Sequence, residues 1–315
     1  MIYSVCINDI DQNITMGEIG MRIGALEAGG TKMVLAVYDE NGQQLDITRM
    51  KTETPEITIP KMNAYFRENR IDALGIGCFG PLDLNKASET YGWITHTPKL
   101  AWKNTPLMQE VLRGMDIPAE IDTDVNAAAI AEVAEDAAAG CRNAVYMTIG
   151  TGIGGGVVVN GEPLHGLVHP EVGHMLMKPL AEDPCPDGFC PYHKGCLEGL
   201  AAGPAIGKRA GKDASELADD DIAFTIEAKY LAQMCVNLIM TYSPEKIILG
   251  GGVMERDSMF ALVREETVRL LGGYIQHDAI LKDIDNYIVK PKLYPVSGLV
   301  GSWYLGMKAL KNAAL

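Results

Sequence analysis

The sequence predicts an α/β protein built as two similar halves with a cleft between them. A pattern of strand, glycine turn, strand and Asn-Gly turn occurs near residues 22–51 and again at 144–161, about 120 residues further along. Helical and strand-like segments follow each copy, the composition of mixed sheets with helices on their faces. The length of 315 residues suffices for two separate cores.

In the first copy residues 22–28 read as a strand, Gly29-Gly30-Thr31-Lys32 as a turn, residues 33–38 as the returning strand, and Asn41-Gly42 as a hairpin into a third strand at 44–51. Residues 57–69 then read as a helix, 73–78 and 117–121 as strands, and the Ala-rich run 125–139 as a helix. In the second copy residues 144–149 are a strand, Gly150-Thr151-Gly152-Ile153-Gly154-Gly155 the turn, 156–159 the return, and Asn160-Gly161 the hairpin. A long helix at 222–242, a buried strand at 246–249, and helices at 258–271 and 298–310 complete the chain. The expected division is an N-terminal extension at 1–20, a first domain at 21–140 and a second at 141–300, with residues 301–315 able to pack back on the first.

Composition excludes several classes. Hydrophobic residues make up 47%, and the mean hydropathy of +0.04 is that of an ordinary globular chain. The net charge of −14 leaves no basic patch for nucleic acid. No apolar run approaches the length of a membrane span. Residues 1–20 lack the basic start of a secretory signal, so a cytoplasmic location is expected. An acidic protein repels anions at long range, so any phosphate ligand must be held by local dipoles and a cation.

Chemistry concentrates between residues 171 and 198. Cys190, His193 and Cys196 fall within seven residues, and His174 lies a loop away. This is the composition and spacing of a closed, four-coordinate Cys2His2 zinc site. Glu171 and Glu198 bracket it, so a structural metal fixing the loop also fixes two carboxylates. The competing readings are a chance cluster or a Cys185–Cys190 disulfide, and Cys185 is a further thiol able to replace Cys190. Clustered reduced Cys and His in a cytosolic chain point to metal.

The two glycine turns leave backbone N–H groups free for a close anion. Neither is a P-loop or a dinucleotide fingerprint, and each alone reads equally as a tight hairpin. Their equivalent positions in a duplicated fold argue for phosphates gripped from both sides. Gly250-Gly251-Gly252 follows a strand and precedes a helix, where ligands bind in open α/β sheets. Gly203-Pro204 at a helix start is a weaker signal. Asp122 and Asp124 end a strand and open a helix. Either can be the helix N-cap or the base for a substrate hydroxyl, and spacing does not choose between them.

Together these residues resemble the ROK family of sugar kinases, within the actin-like, ribonuclease H-like ATPase fold. The resemblance rests on Glu27-Ala28-Gly29-Gly30-Thr31-Lys32, Thr123-Asp124-Val125-Asn126, Gly150-Thr151-Gly152-Ile153-Gly154-Gly155, Glu171-Val172-Gly173-His174 and the cysteine loop, and covers residues 21–315. Phe79-Gly80-Pro81-Leu82-Asp83, Thr97-Pro98-Lys99, Trp102 and Asn104 look most like the bacterial fructokinase branch, whose members contain zinc. The resemblance implies two actin-like domains, ATP and magnesium as cofactors, structural zinc, and a homodimer. It implies Asp124 as general base toward the 6-hydroxyl of D-fructose, and leaves Asp122 structural. It implies Gly80, Asn104, Thr123, Asp124, Glu171, His174 and Glu198 on the sugar, with His174 offering one ring nitrogen to zinc and its other edge to a sugar hydroxyl. It implies Gly29, Gly30, Thr31, Lys32, Thr151, Gly152, Pro204, Gly250, Gly251, Gly252, Val253 and Met254 around ATP, and His174, Cys190, His193 and Cys196 on zinc. Glu27 stands where many relatives carry Asp, a position expected to hold magnesium through water. The alternatives are a kinase for mannose, glucose or N-acetylmannosamine, and a non-enzymatic sugar sensor. Residues 1–20 are too short and acidic for the helix-turn-helix of the family's repressors.

Overall fold

In the computed structural model, residues 20–135, 137–218 and 220–314 are described. The expected extension at 1–20 therefore lies, apart from Gly20, outside the described residues. The chain forms two compact units. One comprises the described residues up to Glu135 with Gly161–Pro170 and Leu293 onward; the other comprises Ala137–Asn160 and Glu171–Lys292.

In the first unit, strands β1 (Ile23–Ala28), β2 (Lys32–Tyr38) and β3 (Gln44–Lys51) form an antiparallel meander. Strands β4 (Ala73–Cys78) and β5 (Ala119–Thr123) join it in parallel, giving the order β3-β2-β1-β4-β5. Helix α1 (Pro55–Asn69) starts two residues ahead of the expected position, because Pro55 suits the first helical turn. Its Met62 and Phe66 pack with Leu26, Leu35, Leu74 and Ile76 on one face of the sheet. The short helix α2 (Leu107–Val111) adds Leu107 and Val111 to that core.

Helices α3 (Asp124–Glu135) and α10 (Ser297–Ala313) cover the other face through Ala127, Ile130, Leu299 and Trp303. A stripe of glycines brings α10 unusually close. A Cβ on Gly301 would overlap the Ala127 carbonyl of α3, and one on Gly75 would overlap the Ser302 carbonyl of α10. The Ser302 hydroxyl bridges the adjacent strands, accepting from Gly77 N at 3.0 Å and lying 3.0 Å from Leu26 O.

The second sheet repeats the topology. Strands β6 (Ala144–Ile149) and β7 (Ile153–Val159) are antiparallel, and β9 (Lys246–Gly250) and β10 (Ile288–Val289) run parallel to β6. The chain leaves β7 through Asn160-Gly161, both at positive φ, into the two-residue strand β8 (Glu162–Pro163). The order β8-β7-β6-β9-β10 matches the first sheet strand for strand. Helices α4 (Leu197–Ala201), α5 (Gly203–Ala210), α6 (Ile222–Tyr242), α7 (Asp257–Leu271), α8 (Asp278–Leu281) and α9 (Ile284–Tyr287) complete the unit.

Three expectations need correction. The strand expected at 117–121 lies at Ala119–Thr123, where it pairs with Leu74–Cys78 of β4. The Ala-rich helix ends at Glu135, not Ala139: Gly140 at positive φ closes a turn in which Cys141 N donates to Ala138 O. Turn chemistry there overrides alanine's helix propensity. The returning strand of the second copy begins at Ile153, not Gly156. Gly154 and Gly155 pair with Thr148 and Met147, so the turn shortens to Gly150-Thr151-Gly152. Among the described residues, no helix is long and apolar enough to cross a membrane.

Candidate active site

In each unit the predicted residues gather where parallel strands end. Asp124 opens α3 directly after β5. The junction is held by capping: Asn126 N donates to the Thr123 hydroxyl at 3.1 Å, and the Asn126 amide donates to Asp122 Oδ1 at 2.7 Å. Asp122 is 3% exposed, also accepts from Thr123 N at 2.8 Å, and lies 3.0 Å from His165 Nε2. The two aspartates are thereby distinguished. Asp122 is consumed by the junction, while half-buried Asp124 accepts Val125 N–H at 2.9 Å within its own turn. Burial pushes the Asp124 carboxyl up from 3.8 to about 6, against the pull of that N–H.

Glu27 on β1 is a second strained carboxylate. Burial, then the Asp124 charge, raise it from 4.5 to about 7, opposed by Lys32 and Arg49. Its carboxyl would lie 3.1 Å from a Cβ on Gly298, at the start of α10. The Asp124 charge reaches Glu27, and desolvated carboxylates of this kind are donors suited to a hard divalent cation such as magnesium. The Gly29–Lys32 turn between β1 and β2 closes through Gly29 N to Lys32 O at 3.0 Å, and Thr52 donates its hydroxyl to Gly29 O at 2.8 Å. Thr31 and Lys32 are exposed, and the Lys99 stem lies over Gly30.

Gly80 follows β4, behind Phe79, whose ring packs edge-on against Trp102. A backbone relay joins this loop to Asn104: Asn104 N donates to Thr95 O at 3.0 Å, and Thr95 N donates to Pro81 O at 2.9 Å. Asn104 is exposed and left-handed, φ 55°. The relay continues to a residue the sequence did not single out. Leu82 N donates to Nε2 of His169 at 3.2 Å, and His169 is 6% exposed.

In the second unit the glycine-rich segments converge. Gly203 N, one residue before Pro204 at the start of α5, donates to Gly150 O at 2.7 Å, and Gly203 also faces the Val253 side chain. Gly251, at φ 89°, lies so close to the Ile149 backbone that no side chain fits. Gly250, Gly252, Val253 and Met254 continue from β9 into a short 3-10 turn that buries Met254. At the tip of the β6–β7 turn Thr151 is exposed and Gly152 is half-buried against the Glu198 carboxylate.

The cysteine loop docks beside that turn. Met177 N donates to Gly195 O and Leu197 N to Met175 O, both at 2.9 Å, so His174 and Cys196 are brought into register. His174 Nδ1 lies 3.9 Å from Cys190 Sγ and 3.7 Å from Cys196 Sγ, and His193 Nδ1 lies 3.8 Å from Cys190 Sγ. A tetrahedral zinc with ordinary bond lengths needs N···S edges of about 3.6 Å. The four ligand atoms, all within 4.8 Å of one another, fit that group. Cys185 is outside it, and Cys185 and Cys190 are free thiols rather than a disulfide.

Glu198 on α4 faces two ways. Its Oε2 accepts Ile153 N–H at 3.0 Å from the glycine turn, and its Oε1 lies 3.9 Å from His174 Nε2. Glu171 is exposed, and its carbonyl accepts His174 N–H at 2.9 Å. A further missed feature lies behind the loop: buried Arg209 donates to both oxygens of Asp183 at 3.0 and 3.2 Å and to Leu200 O at 2.5 Å. Asp183 in turn accepts Cys185 N–H and the Tyr230 hydroxyl.

The ROK family profile matches residues 23–309. A fructokinase of Pediococcus pentosaceus is 43% identical over 93% of this chain and 100% of its own length. A fructokinase of Lactococcus lactis subsp. cremoris is 42% identical over 90% of this chain and 96% of its own. The crystal structure of a ROK hexokinase from Thermus thermophilus superposes with a TM-score of 0.73 at 26% identity, covering 93% of this chain and all of that one. The duplicated sheets are thus those of actin-like ATPase domains, and this chain belongs to the ROK family of sugar kinases.

Proposed function

We propose that the protein is a fructokinase, transferring the γ-phosphoryl group of ATP to the 6-hydroxyl of D-fructose to give fructose 6-phosphate and ADP. The observation that carries this reading is the identity of 42–43% to fructokinases over nearly the whole of both chains, combined with Asp124 at the β5–α3 junction.

Asp124 accepts the proton of the attacking hydroxyl. A carboxylate near 6 is ionised at neutral pH yet basic enough to take a proton as the oxygen–phosphorus bond forms. The Gly29–Lys32 and Gly150–Gly152 turns are each phosphate-binding turns, Gly29 N–H and Gly150 N–H closing the turns themselves on Lys32 O and Gly152 O, and Lys32 adds a cation. Pro204 and Gly250–Met254 border the rest of the nucleotide. Gly80, Asn104, Thr123, Glu171, His174 and Glu198 orient the sugar. Magnesium, when bound, neutralises phosphate charge, with Glu27 holding its water shell. Zinc, when bound by His174, Cys190, His193 and Cys196, keeps the His174 ring and Glu198 in place. Residues 21–140 with the C-terminal helix, and 141–300, act as the two actin-like domains. The grouping of α10 with the first sheet supports this division. A cytoplasmic homodimer completes the proposal, on family resemblance.

The test is kcat/KM with magnesium and ATP across fructose, mannose, glucose and N-acetylmannosamine. Fructose dominating supports the assignment. Preference for another hexose keeps the mechanism and moves the specificity, and inactivity on all four refutes the kinase reading.

A further inference from the structure

We propose that His169 is a positioning residue for sugar binding: its ring nitrogen Nε2 fixes the Gly80-Pro81-Leu82 loop through the Leu82 amide. The inference rests on the reading of Gly80 as a sugar contact. Three observations support it. His169 is 6% exposed and buries its ring on this loop, 3.2–3.3 Å from where a Cβ of Gly80 would stand. Its Nε2 accepts Leu82 N–H at 3.2 Å, across 87 residues of sequence. The neighbouring carbonyl, Pro81 O, is taken by Thr95, whose own carbonyl receives Asn104 N–H. A single chain of hydrogen bonds therefore runs from His169 through the loop to Asn104.

The chemistry requires a neutral imidazole with Nε2 unprotonated, since a protonated ring has no acceptor. Burial holds the His169 ring below the ordinary 6.5, against the Asp122 charge that faces it. Past Leu82 the loop is already rigid, because Asp83 accepts the Ser88 and Thr90 hydroxyls, both at 2.6 Å. Within Gly80–Leu82, Thr95 holds the Pro81 carbonyl and His169 holds the Leu82 amide. Two residues after His169 the chain reaches Glu171, another predicted sugar contact.

Two near-isosteric variants separate positioning from bulk. His169→Gln places an amide oxygen close to Nε2, while His169→Asn places one close to Nδ1, out of reach of Leu82. The expected result is a fructose KM at least about 10-fold higher for His169→Asn than for wild type, with the ATP KM within about 2-fold and recovery to within about 3-fold in His169→Gln; 10-fold corresponds to about 1.4 kcal/mol. Equal fructose KM values for the two variants, or parallel rises in both substrates' KM, overturn the proposal. Amide hydrogen exchange of the peptide spanning residues 79–84 is the readout independent of turnover. Faster exchange at Leu82 in His169→Asn than in His169→Gln is required, and identical exchange refutes the anchor. Wild-type protein that phosphorylates no hexose sinks the functional reading instead, while the exchange comparison still decides the role of His169.

Discussion

Replacing Asp124 with Asn should make the protein more stable at neutral pH while removing its turnover. In the folded chain the Asp124 carboxyl sits at about 6 against an ordinary 3.8. This is the reverse of a salt-bridged carboxylate. The folded state binds the proton more tightly than the unfolded chain does, so ionising the group costs stability. The cost is absent below the ordinary value, grows as pH rises between 3.8 and about 6, and is complete above that. At about 1.4 kcal/mol for each pH unit between the two values, the ceiling is about 3 kcal/mol. Asp124 is only half-buried, and solvent screening brings the expected gain to about 1–2 kcal/mol. Asn keeps the shape and the acceptor for Val125 N–H, and it relieves Glu27, which the Asp124 charge helps to push up. Urea unfolding followed by tryptophan fluorescence reports on the right unit, because Trp93, Trp102 and Trp303 all belong to the first one. The variant should gain stability at pH 7.5 and lose most of that gain by pH 4.5, with kcat down by about 10³ or more. A variant no more stable than wild type at pH 7.5, or equally advantaged at both pH values, would show that Asp124 is not a desolvated base.

Three further perturbations probe other parts of the account. Cys196→Ala removes a buried thiol that caps α4 by accepting Gly199 N–H and belongs to the zinc-type cluster; bound zinc should fall from one equivalent to none and fructose affinity by about 10–100-fold, whereas unchanged affinity in metal-free variant protein would uncouple the loop from the sugar. Gly301→Ala drives a methyl group into the Ala127 carbonyl and should cost about 1–3 kcal/mol or more; thermal unfolding at the wild-type temperature would contradict the packing described between α3 and α10. Arg209→Met strips the buried partner from Asp183 and should destabilise the second unit by about 3–5 kcal/mol, measured by urea unfolding monitored with circular dichroism; a neutral result would mean that Asp183 finds another partner.

Much of the architecture was legible because local and tertiary signals agree. Residues 73–78 and 144–149 are apolar runs bounded by turn residues, and they form β4 and β6 with the expected limits. Helix α6 has its expected limits because Asp221 caps its start and Ser243, left-handed at φ 46°, ends it ahead of Pro244. The duplication was visible in the paired glycine and Asn-Gly turns, and the two sheets share one strand order. The zinc-type cluster was readable because three of its donors are near neighbours in sequence. What sequence left out depends on distant partners. Asp122 and Asp124 look alike until Asn126 and His165 claim the former. His169 looks like any loop histidine until Leu82 meets it, and its position just ahead of Pro170-Glu171 was the available signal. The early end of α3 reflects a turn at Gly140 that alanine composition conceals.

The most direct test of the account is phosphorus NMR of the product formed from fructose, magnesium and ATP by the purified protein. Fructose 6-phosphate should accumulate in step with ADP, and none should form with Asp124→Asn over the same interval. A 1-phosphate, or ADP released without any sugar phosphate, would contradict it.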